Sequence, residues 1–176
     1  MLRVNRILCN ILATALEFAA ISGSVFGTAL FHVRDEKSAN TAGGTGTAGS
    51  FVKRTLNTTL TNEISGASIS SSVITLPSGT YYIQASVPAW GVNRHKAKLR
   101  NTTDSTDTLI GTSEYTENLS QVTTCSLIIG RFTIVAQKNF EIQTRIQTTY
   151  STSDFGLPSD MGLTEVYTNV QIWQVA

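Results

Sequence analysis

Gly44, Gly46 and Gly49 stand at the G-x-G-x-x-G spacing that lets a backbone approach a pyrophosphate beside a helix N-terminus. The residues that follow, Phe51 to Leu60, read as a β-rich run and not a helix, and no Lys-Ser or Lys-Thr pair completes a P-loop. The glycines are therefore expected to form a flexible loop between two strands, where positive φ angles are needed. The two histidines, His32 and His95, each lack a second imidazole at i+2 or i+4, so zinc chemistry is not expected. Serines are plentiful, yet no strained elbow or paired His and Asp marks a nucleophile. Asp104 and Asp107 in one turn, and Asp154 and Asp160 around another, do not follow the EF-hand loop and read as turn formers. Cys9 and Cys125 lie in no CxxC or metal spacing and are read as buried thiols, a usage that suits a reducing cytoplasm. The sequons at Asn57, Asn101 and Asn118 carry meaning only in a eukaryotic secretory route. The expectation is a protein with no catalytic residues, no cofactor and no metal.

The elements that must carry these residues are strands. Twenty-six threonines and 18 serines, with 14% charged residues, favour strands and turns over exposed helices. A net charge of +1 and no basic run argue against a nucleic-acid partner. In Thr80 to Trp90 (TYYIQASVPAW), Tyr81, Ile83, Ala85 and Val87 alternate with Tyr82, Gln84 and Ser86, the signature of a half-buried strand, which Pro88 is expected to end. Phe140, Ile142 and Ile146 oppose Glu141, Gln143, Arg145 and Gln147, and Ile128, Phe132 and Ile134 oppose Arg131 and Thr133. Further strands are expected at Ala29 to Arg34, Phe51 to Asn57, Ser72 to Leu76, His95 to Arg100, Thr108 to Tyr115 and Glu165 to Val175, eight to ten in all. Turn signals between them have the spacing of a sandwich or jelly roll. A chain of 176 residues can bury one such core.

Two regions bear on function. Residues 1–28 are read as an N-terminal segment and 29–176 as the β domain. Val4, Leu8, Ile11, Ala15 and Phe18 recur every three or four residues, as on one face of a short helix. That segment is expected to be a retained anchor; a signal peptide is the alternative, and Glu17 breaks the run that a membrane-spanning helix would need. In the last strand, Val166, Val170 and Ile172 are expected to face the core while Tyr167, Trp173 and Val175 take the outer face, which Tyr82 could join. Aromatics on an outer face need cover, either from another subunit or from the N-terminal segment of the same chain.

The segments HVRDEK (32–37), TAGG (41–44), LPSGTYYIQASVP (76–88), RHKAKLRN (94–101), LIGTSEY (109–115), GRFTI (130–134), FEIQ (140–143) and TEVYTNVQIW (164–173) resemble a family of bacteriophage and prophage structural proteins with C1q/TNF-like jelly rolls. The resemblance implies an all-β, ten-stranded antiparallel jelly-roll sandwich that trimerises about a threefold axis, with aromatic and aliphatic residues packed along it. Tyr82, Tyr167 and Trp173 become the expected trimer interface.

In function, the resemblance implies a non-enzymatic virion protein, assembled in the host cytoplasm and displayed on the particle surface. A capsid decoration (cement) protein is favoured, held to the major capsid protein or other virion proteins through Val4, Leu8, Ile11 and Phe18. Twenty-eight residues supply no long shaft, which argues against a receptor-reaching fibre. The alternatives are a tail-fibre or head-fibre knob that binds a host glycan, with Trp90, Arg94 and Tyr150 as contacts, and a secreted bacterial C1q-like adhesin.

Overall fold

The computed structural model describes residues 29–116, 122–150 and 152–175. Val4, Leu8, Ile11 and Phe18, expected from the sequence to anchor the protein, together with Cys9 and Asn118, lie outside the described residues. Among the described residues eleven strands run in chain order: β1 (Ala29–Lys37), β2 (Phe51–Lys53), β3 (Thr58–Asn62), β4 (Ser68–Ser70), β5 (Val73–Leu76), β6 (Gly79–Trp90), β7 (Asn93–Asn101), β8 (Thr106–Thr116), β9 (Thr123–Ile134), β10 (Lys138–Ile146) and β11 (Glu165–Gln174). Among the described residues there is no helix, and none long and apolar enough to cross a membrane.

The strands form two antiparallel sheets. The first has the order β3-β1-β11-β6-β9; the second has β4-β5-β10-β7-β8, with β2 also pairing β10. Non-sequential neighbours in both sheets are the crossovers of a jelly roll. Alternation dictates which face is buried. Tyr81, Ile83, Ala85 and Val87 of β6 are fully buried, and with Phe31, Val33, Ile128, Val170 and Ile172 they meet Ile74, Leu76, Leu99, Phe140 and Ile142 from the second sheet. The rings of Tyr81 and Phe132 lie 5.6 Å apart, and those of Phe132 and Phe140 5.4 Å apart, which joins the sheets through a tilted aromatic column. The Tyr81 hydroxyl donates to the Pro77 carbonyl at 2.8 Å, so the buried phenol keeps a partner.

Three sequence expectations are corrected. Pro88 does not end β6, whose pairing with β9 continues through Pro88↔Cys125 to Trp90↔Thr123. Pairing of β6 with β11 stops at Ser86↔Asn169, so the N–H that proline lacks falls on a side with no strand to accept it. The run from Phe51 to Asn57 yields only the three-residue β2, and the short strands β3 and β4, which carry weak alternation, were not expected. The glycine loop is packed, not loose. Gly46 N–H donates to Asp154 Oδ2 at 3.0 Å, and a Cβ on Gly46 would lie 2.3 Å from Ile146.

Candidate functional site

The outer face of the first sheet is read from its register. One row across β1, β11, β6 and β9 is Leu30, Trp173, Tyr82 and Arg131; the next is His32, Gln171, Gln84 and Ile129; the third is Arg34, Asn169, Ser86 and Leu127. Tyr82 and Trp173 pack together with ring centroids 6.0 Å apart. Ile129 is 49% exposed and Leu127 is also exposed, so this face presents apolar side chains to solvent. His32 Nε2 lies 2.7 Å from Asn169 Oδ1, a cross-strand pair on the same face.

Tyr167 does not join that face. Between Arg34↔Asn169 and Glu36↔Val166 the register shifts, so β11 carries one extra residue opposite β1. Tyr167 and Thr168 both turn inward, while Val166, expected in the core, is thrown out to solvent. Tyr167 is 8% exposed, and its hydroxyl donates to the Thr41 carbonyl at 2.8 Å. Burial first, and then the carboxylates of Glu165, Asp35 and Asp160, push the phenol up to about 12, which keeps it a neutral donor. A Cβ on Gly156 would lie 2.2 Å from the Tyr167 ring, so glycine there is what admits the ring. Tyr167 is covered by its own chain and leaves the interface assignment to Tyr82 and Trp173.

The same end of the sandwich holds a residue that sequence reading missed. Arg54 is 1% exposed, donates to the carbonyls of Pro88 (2.9 Å) and Phe155 (3.0 Å), and lies 3.9 Å over the Phe155 ring. Burial lowers its pKa to about 9, against the opposing pull of Asp35. Asp35 is itself buried, 3.1 Å from Lys37, and burial raises its pKa more than Lys37 and Arg54 lower it. The signal in sequence was parity: Arg54 shares its strand face with Val52 and Leu56.

Of the three candidate glycan contacts, Trp90 is corrected. It is 6% exposed, and the exposed Tyr150 packs edge-on against it at 5.2 Å. Arg94 instead lines a separate groove of about 700 Å³ on the outer face of the second sheet, with Phe51, Lys96, Glu114, Tyr115 and Arg145 among its walls. Neither Trp90 nor Tyr150 lines it.

His95, read as a solvated strand start, is buried, with Nε2 2.8 Å from Thr124 Oγ1. Burial lowers its pKa from 6.5 to about 4, with Glu114 opposing and Arg54 assisting. The folded ring stays neutral where the unfolded one already binds a proton. Stability is therefore complete above pH 6.5 and falls as pH drops toward 4, by about 3 kcal/mol. Urea unfolding between pH 7.5 and 4.5 should show this limb, and His95→Gln should flatten it; an unchanged slope in the variant would reject the assignment.

Three of the four aspartates considered as turn formers, Asp104, Asp107 and Asp154, have protein partners. Asp104 accepts from Asn101 and Lys138, Asp107 from Lys98 and Arg100, and Asp154 from the amides of Gly46 and Tyr150. Among the described residues no cluster of three His, Cys, Asp or Glu side chains could hold a metal ion. Asn101, one of the sequon residues, is buried.

No protein-family model matches the sequence, and no curated protein does. Solved structures do match. The globular domain of zebrafish complement 1qA protein aligns at 12% identity with a TM-score of 0.53, covering 85% of this chain and 98% of that one. Murine APRIL at pH 5.0 aligns at 8% identity with a TM-score of 0.52, covering 84% and 98%; murine APRIL at pH 8.0 aligns with a TM-score of 0.53 at the same identity and coverage. The likeness establishes the fold, a C1q/TNF-like antiparallel jelly-roll sandwich.

Proposed function

We propose that this chain is a non-catalytic, homotrimeric surface module of a bacteriophage particle, serving as a decoration protein that reinforces the head. One observation carries the self-association: Trp173, Tyr82, Leu30, Ile129 and Leu127 occupy the outer face of the first sheet, which in an isolated sandwich is wetted. Apolar side chains in adjoining rows gain by meeting the same face of a sister subunit around a threefold axis. The likeness to C1q and TNF-family folds supports this choice, because the resemblance of the sequence implies trimers packed through such residues. Sedimentation of the purified protein should give a species three times the 19.0 kDa chain mass; a monomer at micromolar concentration in the presence of the intact first sheet would overturn the reading.

Placement on the head rests on the sequence resemblance. A protein bridging several capsid subunits buries surface available only in the closed shell, so binding favours the assembled head. Val4, Leu8, Ile11 and Phe18 are proposed to hold it there. Particles lacking the protein should rupture at lower temperature while adsorbing to cells normally. Normal head stability with lost adsorption would instead support a receptor-binding fibre knob, the reading that the groove on the second sheet favours.

A further inference from the structure

We infer that the groove on the outer face of the second sheet binds an oligosaccharide that carries a sparse acidic group, a carboxylate or sulfate beside neutral, hydroxyl-rich rings. The site lies on the opposite sheet from the proposed subunit contact, so it stays open whether or not the protein trimerises there.

The charges of this face divide into two groups. Asp107 takes Lys98 at 2.9 Å and Arg100 at 2.8 Å, and Glu141 lies 3.7 Å from Lys53. Arg94, Lys96 and Arg145 line the groove, and among the described residues none of them forms an ion pair. Arg94 instead donates to Gln147 Oε1 at 3.0 Å and lies 5.6 Å from the Tyr115 ring centroid. Three such cations in one concavity select an anion, and the guanidinium forks of Arg94 and Arg145 match the paired oxygens of a carboxylate or sulfate.

The remaining walls define what carries the anion. Tyr115 is 60% exposed and Phe51 is also exposed, so two rings face the groove and can cover the apolar C–H surface of a sugar ring. Cations also sit over both rings, Lys98 Nζ at 3.9 Å from the Phe51 centroid and Arg94 over Tyr115 at 5.6 Å. Ser113, Gln147 and Glu114 offer hydroxyl, amide and carboxylate partners to sugar hydroxyls. Glu114 also repels a ligand charged on every unit, such as a nucleic acid. The volume of about 700 Å³ falls within the range of small-ligand pockets.

Calorimetric titration of the full-length protein tests this with sialyllactose, sulfolactose and a glucuronate-bearing xylotetraose, each beside its neutral parent, lactose or xylotetraose, and with tetrathymidylate. At least one acidic sugar should bind ten times or more tightly than its parent and than tetrathymidylate. Arg145→Gln and Tyr115→Ala, both at exposed side chains, should each weaken it about tenfold without changing circular dichroism or sedimentation. The proposal fails if no acidic sugar binds, if the neutral parents or tetrathymidylate bind as well, or if both variants leave the affinity unchanged. A change of oligomeric state alone would bear on the trimer and not on the groove.

Discussion

Arg54→Ala is expected to lower the unfolding free energy by about 3–5 kcal/mol, the range for removing one partner of a buried charge arrangement. Three losses combine. The buried carbonyls of Pro88 and Phe155 lose their donor, the Phe155 ring loses the guanidinium packed on it, and buried Asp35 loses the charge of Arg54 and, among the described residues, keeps that of Lys37. The guanidinium ties the residue after β2 to the end of β6 and to the loop before β11, so the variant should also loosen that end of the sandwich in hydrogen exchange. Adding Asp35→Asn should recover part of the loss, because a neutral amide needs no counter-charge. Chemical denaturation at fixed protein concentration measures both variants. A single variant within 1 kcal/mol of the parent, or a double variant strictly additive with the singles, would sink the account.

Ile129→Glu is expected to turn the proposed trimer into monomers. Ile129 sits in the middle row of the first sheet's outer face, opposite Gln84, and its half-exposed side chain contributes little to the protomer core. Substitution there should leave the fold intact, and circular dichroism should match the parent. In a threefold seam the change places three carboxylates in a desolvated contact, each costing several kcal/mol. Weakening by a factor of about a thousand or more follows, since each 1.4 kcal/mol is tenfold. Sedimentation across a hundredfold concentration range measures it. A variant that remains trimeric at the lowest concentration would place the subunit contact elsewhere on the protein. The same variant provides a monomeric background in which the Arg54 measurement is free of association.

Much of the fold could be read locally. The inward set Tyr81, Ile83, Ala85 and Val87 is as expected, as are Ile128, Phe132 and Ile134 in β9 and Phe140, Ile142 and Ile146 in β10. Arg54 could also have been found, since it stands on the inward parity between Val52 and Leu56; a charged residue on a core parity signals a buried clamp. Tyr167 could not. Counting alternate residues back from Trp173 puts it on the outer face, and only the extra β11 residue opposite β1 reverses that count. Trp90 read as an exposed ring after a proline, and continued pairing with β9 together with Tyr150 buries it.

The sequence by itself determined which segments become strands and which of their side chains seek the core, because every second side chain of a strand meets the same surroundings. Only the tertiary structure decided which strands lie side by side, where a bulge flips parity, and that Phe51, Arg94, Tyr115 and Arg145 from four strands or their flanks share one groove. The physical reason is range: alternation is set within a strand, whereas register and grooves arise from pairings between residues tens of positions apart.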